Sequence, residues 1–470
     1  MPNRCGNVPL RPMLTHSKLQ VDHSPRQIIQ LALPVAIAIL IPQLIILTNT
    51  FFLGYYQPSQ GGVSHQALLA ASGIAGIFYL TLVMIGYGLA SGLLMLFSRR
   101  AGEGDEADMV GLFPHGLLLS LLLSVFLMLL TTFLAPLIFS MALHDEQIRD
   151  AAISFMRVRF WGLPFVLVAQ VCNSFMLATQ NSAKIVAGTL AQTVFHVLFD
   201  YLLIFGHAGF PEMGLTGSAW ASVLAEIGYA LTALAMVKYH PDLRRYRLPF
   251  TTQYKLKELW MIFVKSSPLL VQYLLSIGAW EIFFFFVEHL GKAESAVSQI
   301  LRSVFGVVGL GAWALASTCN AMVSNLIGQN QHDKVVPLIH RISAISLGLS
   351  VVLGLPLMLF PEFFLQQLTA DPTLVATGLT SLRIIVLATW MLSVSTIYFN
   401  AVVGTGNTRL NMFFELTGIV LYLLYNWYVV EVGKAGLAWA WGSEFVYWFT
   451  LFVLSAYYLY SGAWKKNARV

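Results

Sequence analysis

Mostly apolar stretches of twenty residues or more recur along this chain, and they restrict its folds more than any other feature. A helix needs about 20 such residues to cross the hydrocarbon core of a bilayer. Twelve stretches qualify: 28–53, 68–97, 110–136, 148–178, 185–205, 215–238, 259–289, 295–327, 335–360, 373–403, 409–430 and 434–460. Lipid offers the backbone no hydrogen-bond partner, so each is expected to be a helix. Only 10% of the residues are charged and 57% are hydrophobic, whereas a soluble domain carries about 25% charge. Several stretches exceed a straight span, so tilt or kinks are expected. Pro34, Pro42, Pro164, Pro268 and Pro356 lie in them or at their starts, and each removes a backbone donor.

Other classes drop out. A formal net charge of +5 over 470 residues does not suggest nucleic-acid binding. Cys5, Cys172 and Cys319 form no spaced motif and read as inert thiols. No metal set or paired histidines point to an embedded enzyme, so no catalytic residue, metal or cofactor is expected. The first 26 residues carry Arg4, Arg11, Lys18 and Arg26 without an apolar core and cleavage site, which argues against a signal peptide.

Twelve spans place both termini on one side. Arg99, Arg100, Lys184, Lys238, Arg244, Arg245, Arg247, Lys255, Lys257, Lys334, Arg409, Lys465, Lys466 and Arg469 fall on that side too, against little beyond Arg149, Lys292 and Lys434 on the other. Basic loops stay in the cytoplasm. The expectation is a multi-pass protein of the cell (inner) membrane, monomeric, with both ends cytoplasmic. Its parts are an N-terminal tail (1–26), a six-helix lobe (27–239), a basic linker (240–258), a second six-helix lobe (259–460) and a C-terminal tail (461–470).

The halves repeat. Leu89-Ala90-Ser91 reappears as Leu315-Ala316-Ser317, Gly102 as Gly328, Asn181-Ser182 as Asn407-Thr408, and Asp200-Tyr201 as Asn426-Trp427, always 226 positions later. Gly217-Ser218-Ala219-Trp220-Ala221 returns as Gly436-Leu437-Ala438-Trp439-Ala440 after 219, as though the second copy had a shorter loop. Six spans per copy give parallel repeats related by an axis along the membrane normal, the design of transporters that hold substrate between their halves.

These residues resemble the multidrug and toxic compound extrusion (MATE) transporters. LALPVAIAILIPQLIILTNTFFLG is similar to the family's first helix, GLASGLLMLFSRRAGEGDEADMV to its second helix and following turn, HVLFDYLLIF to its fifth, WEIFFFFVEHLG to its seventh and GTGNTR to the turn after its tenth. The likeness spans roughly residues 25–460. It implies an all-α membrane fold of twelve helices in two six-helix lobes related by a pseudo-twofold axis. It also implies a central cavity and export of organic cations or lipophilic drugs against inward flow of protons or sodium. Many members carry an aspartate fifteen residues after an early proline of the first helix; here that position is Asn49, which cannot titrate.

Charge must then be carried elsewhere. An ionisable residue inside a span is costly and functional by default. Asp200 lies fifteen residues into the fifth span, with His196 one turn earlier on the same face. The two can share a proton, or Asp200 can anchor the helix near the outer interface with His196 as its partner. Glu281 lies in the seventh span, where the family places a glutamate; loss of water penalises its ionised form and suits it to take up a proton. Alternatively it pairs with Arg302. Gln43, Asn49, Tyr273, Trp280 and Tyr398 are the candidate cavity residues, the aromatics as platforms for flat cations. Glu226 and Glu444 read as local structural groups, Glu415 as interfacial, and Arg157, Arg159 and Arg383 as near outer span ends and able to snorkel.

The favoured reading is a transporter, not an enzyme: proton-coupled antiport of small organic molecules in lipid, with sodium as the other coupling ion. A flippase for lipid-linked sugars is the alternative, and it would need several cavity arginines and lysines, of which these spans are nearly bare.

Overall fold

The computed structural model describes residues 19–56, 64–250, 253–369 and 371–467; the side chains of residues 42–51, 54, 55, 65, 66 and 467 lie outside the described set. The first lobe comprises α1 (Pro25–Tyr55), α2 (His65–Glu103), α3 (Glu106–Ala142), α4 (Glu146–Ala178), α5 (Ile185–Phe205) and α6 (Gly214–Tyr239). The second comprises α7 (Leu256–Glu288), α8 (Lys292–Gly328), α9 (Val335–Leu359), α10 (Pro372–Gly404), α11 (Thr408–Trp427) and α12 (Leu437–Ser461). Each of α2 to α12 is long and apolar enough to cross a membrane, and α1 has 31 residues. There is no strand among the described residues.

Short polar residues start the helices. Ser24 caps α1 with Pro25 at its first position, and Asp105 accepts the N–H of Asp108 at 2.9 Å to cap α3. Asp145 accepts the N–H groups of Gln147 and Ile148 at the start of α4. Asp371, its repeat mate, accepts the N–H and hydroxyl of Thr373 at the start of α10. Thr373 holds the Asp371 carboxyl below the usual carboxylate range. That cap is therefore complete above the ordinary aspartate value and fails as pH falls through the lowered one. Asp145→Ala is expected to destabilise the protein by about 1 kcal/mol, read as a lower unfolding midpoint in detergent.

The duplication extends to the backbone. Gly104 (φ +77°) and Asn330 (φ +58°) turn the chain after α2 and α8, and Gln180 (φ +62°) and Gly406 (φ +91°) do so after α4 and α10. Both pairs keep the spacing of 226. Departures from straight helix are local. In α4 a 3-10 turn at Phe160–Gly162 precedes Pro164, whose missing N–H breaks the ladder. A π turn at Tyr428–Val432 ends α11, and Gly442 interrupts α12.

The lobes meet where α2 packs against α7 and α8. In lipid, apolar burial does not drive this; close approach of small residues does. From Gly88 to Arg99 only Ser91 escapes full burial, and from Val308 to Gly328 only Trp313 and Ser317. A Cβ on Gly88 would stand 2.6 Å from the Leu270 nitrogen. Gly102 abuts the Asn325 backbone, and Gly328 abuts Arg99 and Gly102. Gly102 and Gly328 are repeat mates, and mates can touch only near the axis relating the copies. The pseudo-twofold axis therefore passes through this seam.

Polar contacts reinforce the seam. Asn320 donates to the Ser91 carbonyl at 3.2 Å and Ser324 to that of Met95 at 2.7 Å. Arg99, 3% exposed, crosses from α2 to Ser324 and to the carbonyls of Gly404 and Thr405 at the end of α10, where the helix dipole favours a cation. The segment ahead of α1 lies across the join. Val21 N–H donates to Asn325 Oδ1, Asn325 donates to the Leu19 carbonyl, Gln329 to that of Val21 and Arg341 to that of His23.

Among the described residues, every hydrogen bond between the lobes lies at this terminus-bearing end. One apolar core runs through both lobes there, from Leu93–Phe97 to Ala314–Ile327. A separate core around Phe283, Phe305 and Trp441 belongs to the far half of the second lobe alone. Along α8, positions from Ala293 to Val307 are mostly half-buried or exposed. The lobes are thus joined at one end and part toward the other.

Candidate functional site

Asp200 and His196 project from one face of α5 toward α6. Asp200 Oδ2 is 2.8 Å from His196 Nδ1, and His196 Nε2 is 3.0 Å from the Ser222 hydroxyl. Asp200 is 0% exposed and His196 4%. The 2.8 Å approach is a close charge contact without hydrogen-bond alignment: neither Asp200 oxygen nor His196 Nδ1 has a hydrogen-bond partner among the described residues. The imidazole faces a carboxylate on one nitrogen and a hydroxyl on the other, and both ring nitrogens can carry a proton. Such a pair can gain or lose one proton while keeping its geometry.

The first lobe's other buried acid is fully engaged. Glu226 receives both arms of Arg159 at 2.7 and 2.9 Å and the Tyr79 hydroxyl at 2.8 Å. The Arg159 guanidinium lies 3.6 Å from the Tyr79 ring centroid. The expected snorkelling of Arg159 is therefore wrong: its side chain is 14% exposed, because the buried Glu226 carboxylate offers a bidentate partner that lipid headgroups would have to replace. Gly162 explains the 3-10 turn further, since any Cβ there would collide with that carboxylate.

In the second lobe Glu281 pairs with Arg302 of α8 at 3.4 Å, the side chains 32% and 22% exposed. The same guanidinium lies over Trp280 and Phe284 at 5.3 and 5.0 Å. Glu281 thus sits in a partly exposed ion pair in the half where the lobes part. Glu415 is not interfacial as the sequence suggested. It is 1% exposed and accepts hydroxyl hydrogen bonds from Ser276 of α7 and, at 2.6 Å, from Tyr447 of α12. Arg409 misled the reading: six residues of helix carry Glu415 well inside the lobe. Glu444 is buried too, accepting from Tyr422 at 3.3 Å and Trp448 Nε1 at 2.9 Å.

The aromatic candidates separate. Tyr87 is 41% exposed, although the next residue, Gly88, is sealed against α7. Tyr87 and Tyr273 lie on α2 and α7, the helices that face each other across the seam. Trp280 packs edge-on to Phe305 in the half where the lobes part. Tyr398 is 6% exposed, 3.1 Å from the Tyr460 hydroxyl and packed on Phe452 inside the second lobe, away from the acids. Gln43 and Asn49 fall on α1, but their side chains lie outside the described residues. No group of three metal-ligating side chains occurs among the described residues.

Two features escaped the sequence reading. Arg99 counts there as one more basic residue, yet it is buried in the seam. The pairs Gln272/Ser276 and Asn411/Glu415 are each one turn apart on apolar helices, and that spacing was the available signal for a polar contact between α7 and α11.

The MatE family model matches residues 34–202 and 268–428, one stretch in each lobe. This chain belongs to the MATE family. Its members are membrane transporters, in keeping with the fold. A probable multidrug resistance protein NorM of Thermotoga maritima is 24% identical over 463 residues, covering 96% of this chain and 95% of that protein. A namesake from Synechocystis is 28% identical over 72% of this chain and 71% of its own length. Among solved structures, an outward-facing multidrug resistance MATE family transporter of the MOP superfamily superposes with a TM-score of 0.83 at 16% identity, covering 96% of this chain and 98% of that one. At that identity the match speaks for the fold.

Proposed function

We propose that this protein is a secondary active efflux transporter that exports organic cations or lipophilic drugs by alternating access, driven by proton entry. The observation that carries this reading is the buried Asp200–His196 pair in a molecule whose lobes join at one end only. By the positive-inside rule the joined end is cytoplasmic, so the arrangement is open outward. Substrate would enter the space above Tyr87 and Tyr273 when the seam opens inward. Proton uptake at Asp200 and His196 changes the charge of the first lobe, and it shifts the equilibrium only if the two states bind the proton unequally. The Glu281–Arg302 pair at the open mouth would meet incoming cations. The protein would act as a monomer in the cell (inner) membrane, with lipid as its only obligatory partner and no cofactor.

Sodium coupling is the competitor. In proteoliposomes holding the purified protein, tetraphenylphosphonium uptake is expected to follow an imposed pH gradient and to be indifferent to sodium at fixed pH. Uptake that needs a sodium gradient and moves no protons would overturn proton coupling. Absence of uptake under either gradient would overturn efflux of organic cations.

A further inference from the structure

The second lobe holds three membrane-embedded glutamates, and their partners distinguish them. Glu281 is neutralised by Arg302. Glu444 has a donor on each oxygen, Tyr422 on Oε1 and Trp448 on Oε2. Glu415 receives both its hydrogen bonds, from Ser276 and Tyr447, on Oε1. Its Oε2 takes none among the described residues, and no cation pairs with it. One turn back on α11, Asn411 is 0% exposed; its amide N–H donates to Gln272 at 2.8 Å and its carbonyl Oδ1 is unpartnered. Two neighbouring buried residues of α11 therefore each keep an oxygen free.

A bare carboxylate buried in a membrane protein without a cation is strongly disfavoured. Two hydroxyl donors do not neutralise it, and the free oxygen has room for one more ligand. A single proton needs only Oε2. We propose that Glu415 is the proton-loading carboxyl of the second lobe, a counterpart to Asp200 built on a different helix pair.

The titratable groups facing it are few: Tyr273 from α7, and Tyr447 with Glu444 beyond it from α12. None is a cation. The position also suits the task. Ser276 lies on α7, the second-lobe helix that packs most extensively on α2 across the seam, one turn beyond Gln272. When Glu415 is protonated, its carboxyl no longer offers Ser276 and Tyr447 a charged acceptor, and their charge-assisted bonds weaken. The change is felt on the helix that makes the seam.

This inference rests on the proton-driven reading above. The test counts protons released by purified protein in weakly buffered detergent when tetraphenylphosphonium binds, and measures pH-driven accumulation of the same probe in proteoliposomes. Glu415→Gln is expected to release one proton fewer than wild type and to accumulate the probe about tenfold less, the size of a typical coupling. Glu444→Gln is expected to keep the wild-type count. Tyr447→Phe retains the acid and removes one donor, so it should move the pH midpoint of release; it also covers the case in which Glu415→Gln does not fold. A Glu415→Gln protein with the wild-type count, or a Tyr447→Phe protein with an unmoved midpoint, overturns this proposal alone. Wild-type protein that neither binds nor accumulates the probe overturns the transport reading and this proposal with it.

Discussion

Asp200→Asn is expected to uncouple the transporter: accumulation of tetraphenylphosphonium against a pH gradient should fall roughly fivefold to 150-fold, the span set by a coupling free energy of about 1–3 kcal/mol. Asparagine keeps the shape and a carbonyl acceptor near His196, so the α5–α6 contact survives. What it lacks is the charge. Without a carboxylate at 2.8 Å, the proposed pair has no acid left to load. The loss should therefore appear in pH dependence as well as in rate: the residual activity of Asp200→Asn should be nearly flat with pH, while His196→Gln should keep part of the slope because the acid remains. Wild-type pH-driven accumulation in Asp200→Asn would remove the pair from the mechanism.

The largest effect on stability is expected at Arg159. Arg159→Met leaves the Glu226 carboxylate, 2% exposed, with only the Tyr79 hydroxyl. Breaking a buried pair from one side costs about 3–5 kcal/mol, because the remaining charge is uncompensated. The unfolding midpoint in detergent should fall accordingly, and expression with it. The double variant Arg159→Met with Glu226→Met is expected to recover most of the loss, since two apolar residues of similar size are often no worse than the pair they replace. An equal loss in the double variant would mean that packing around the 3-10 turn of α4, not the charge, is what Arg159 supplies.

The contrast between these two sites shows how far the sequence could be read. Asp200 and His196 lie one turn apart on a single apolar helix, and that spacing alone puts them on one face. The helices themselves were equally legible, because lipid leaves the backbone no alternative. Glu226 and Arg159 are 67 residues apart, and nothing in either span announces the other. Glu415 was misplaced for the same reason: its partners are supplied by α7 and α12, 139 and 32 residues away. Burial of Arg99 needed a third kind of knowledge, the meeting of two repeat copies. Distance along the chain reported it as a headgroup charge; proximity to the axis makes it a bridge.

The cross-tie ahead of α1 has a consequence for biogenesis. Its backbone is gripped by Asn325, Gln329 and Arg341, which lie 304 to 318 positions downstream. This stretch is made before any of the twelve helices, yet it cannot dock fully until nine of them have been inserted. It closes the assembly as a clasp does, fastened after the garment is on, so a newly made chain stays unlatched through most of its synthesis.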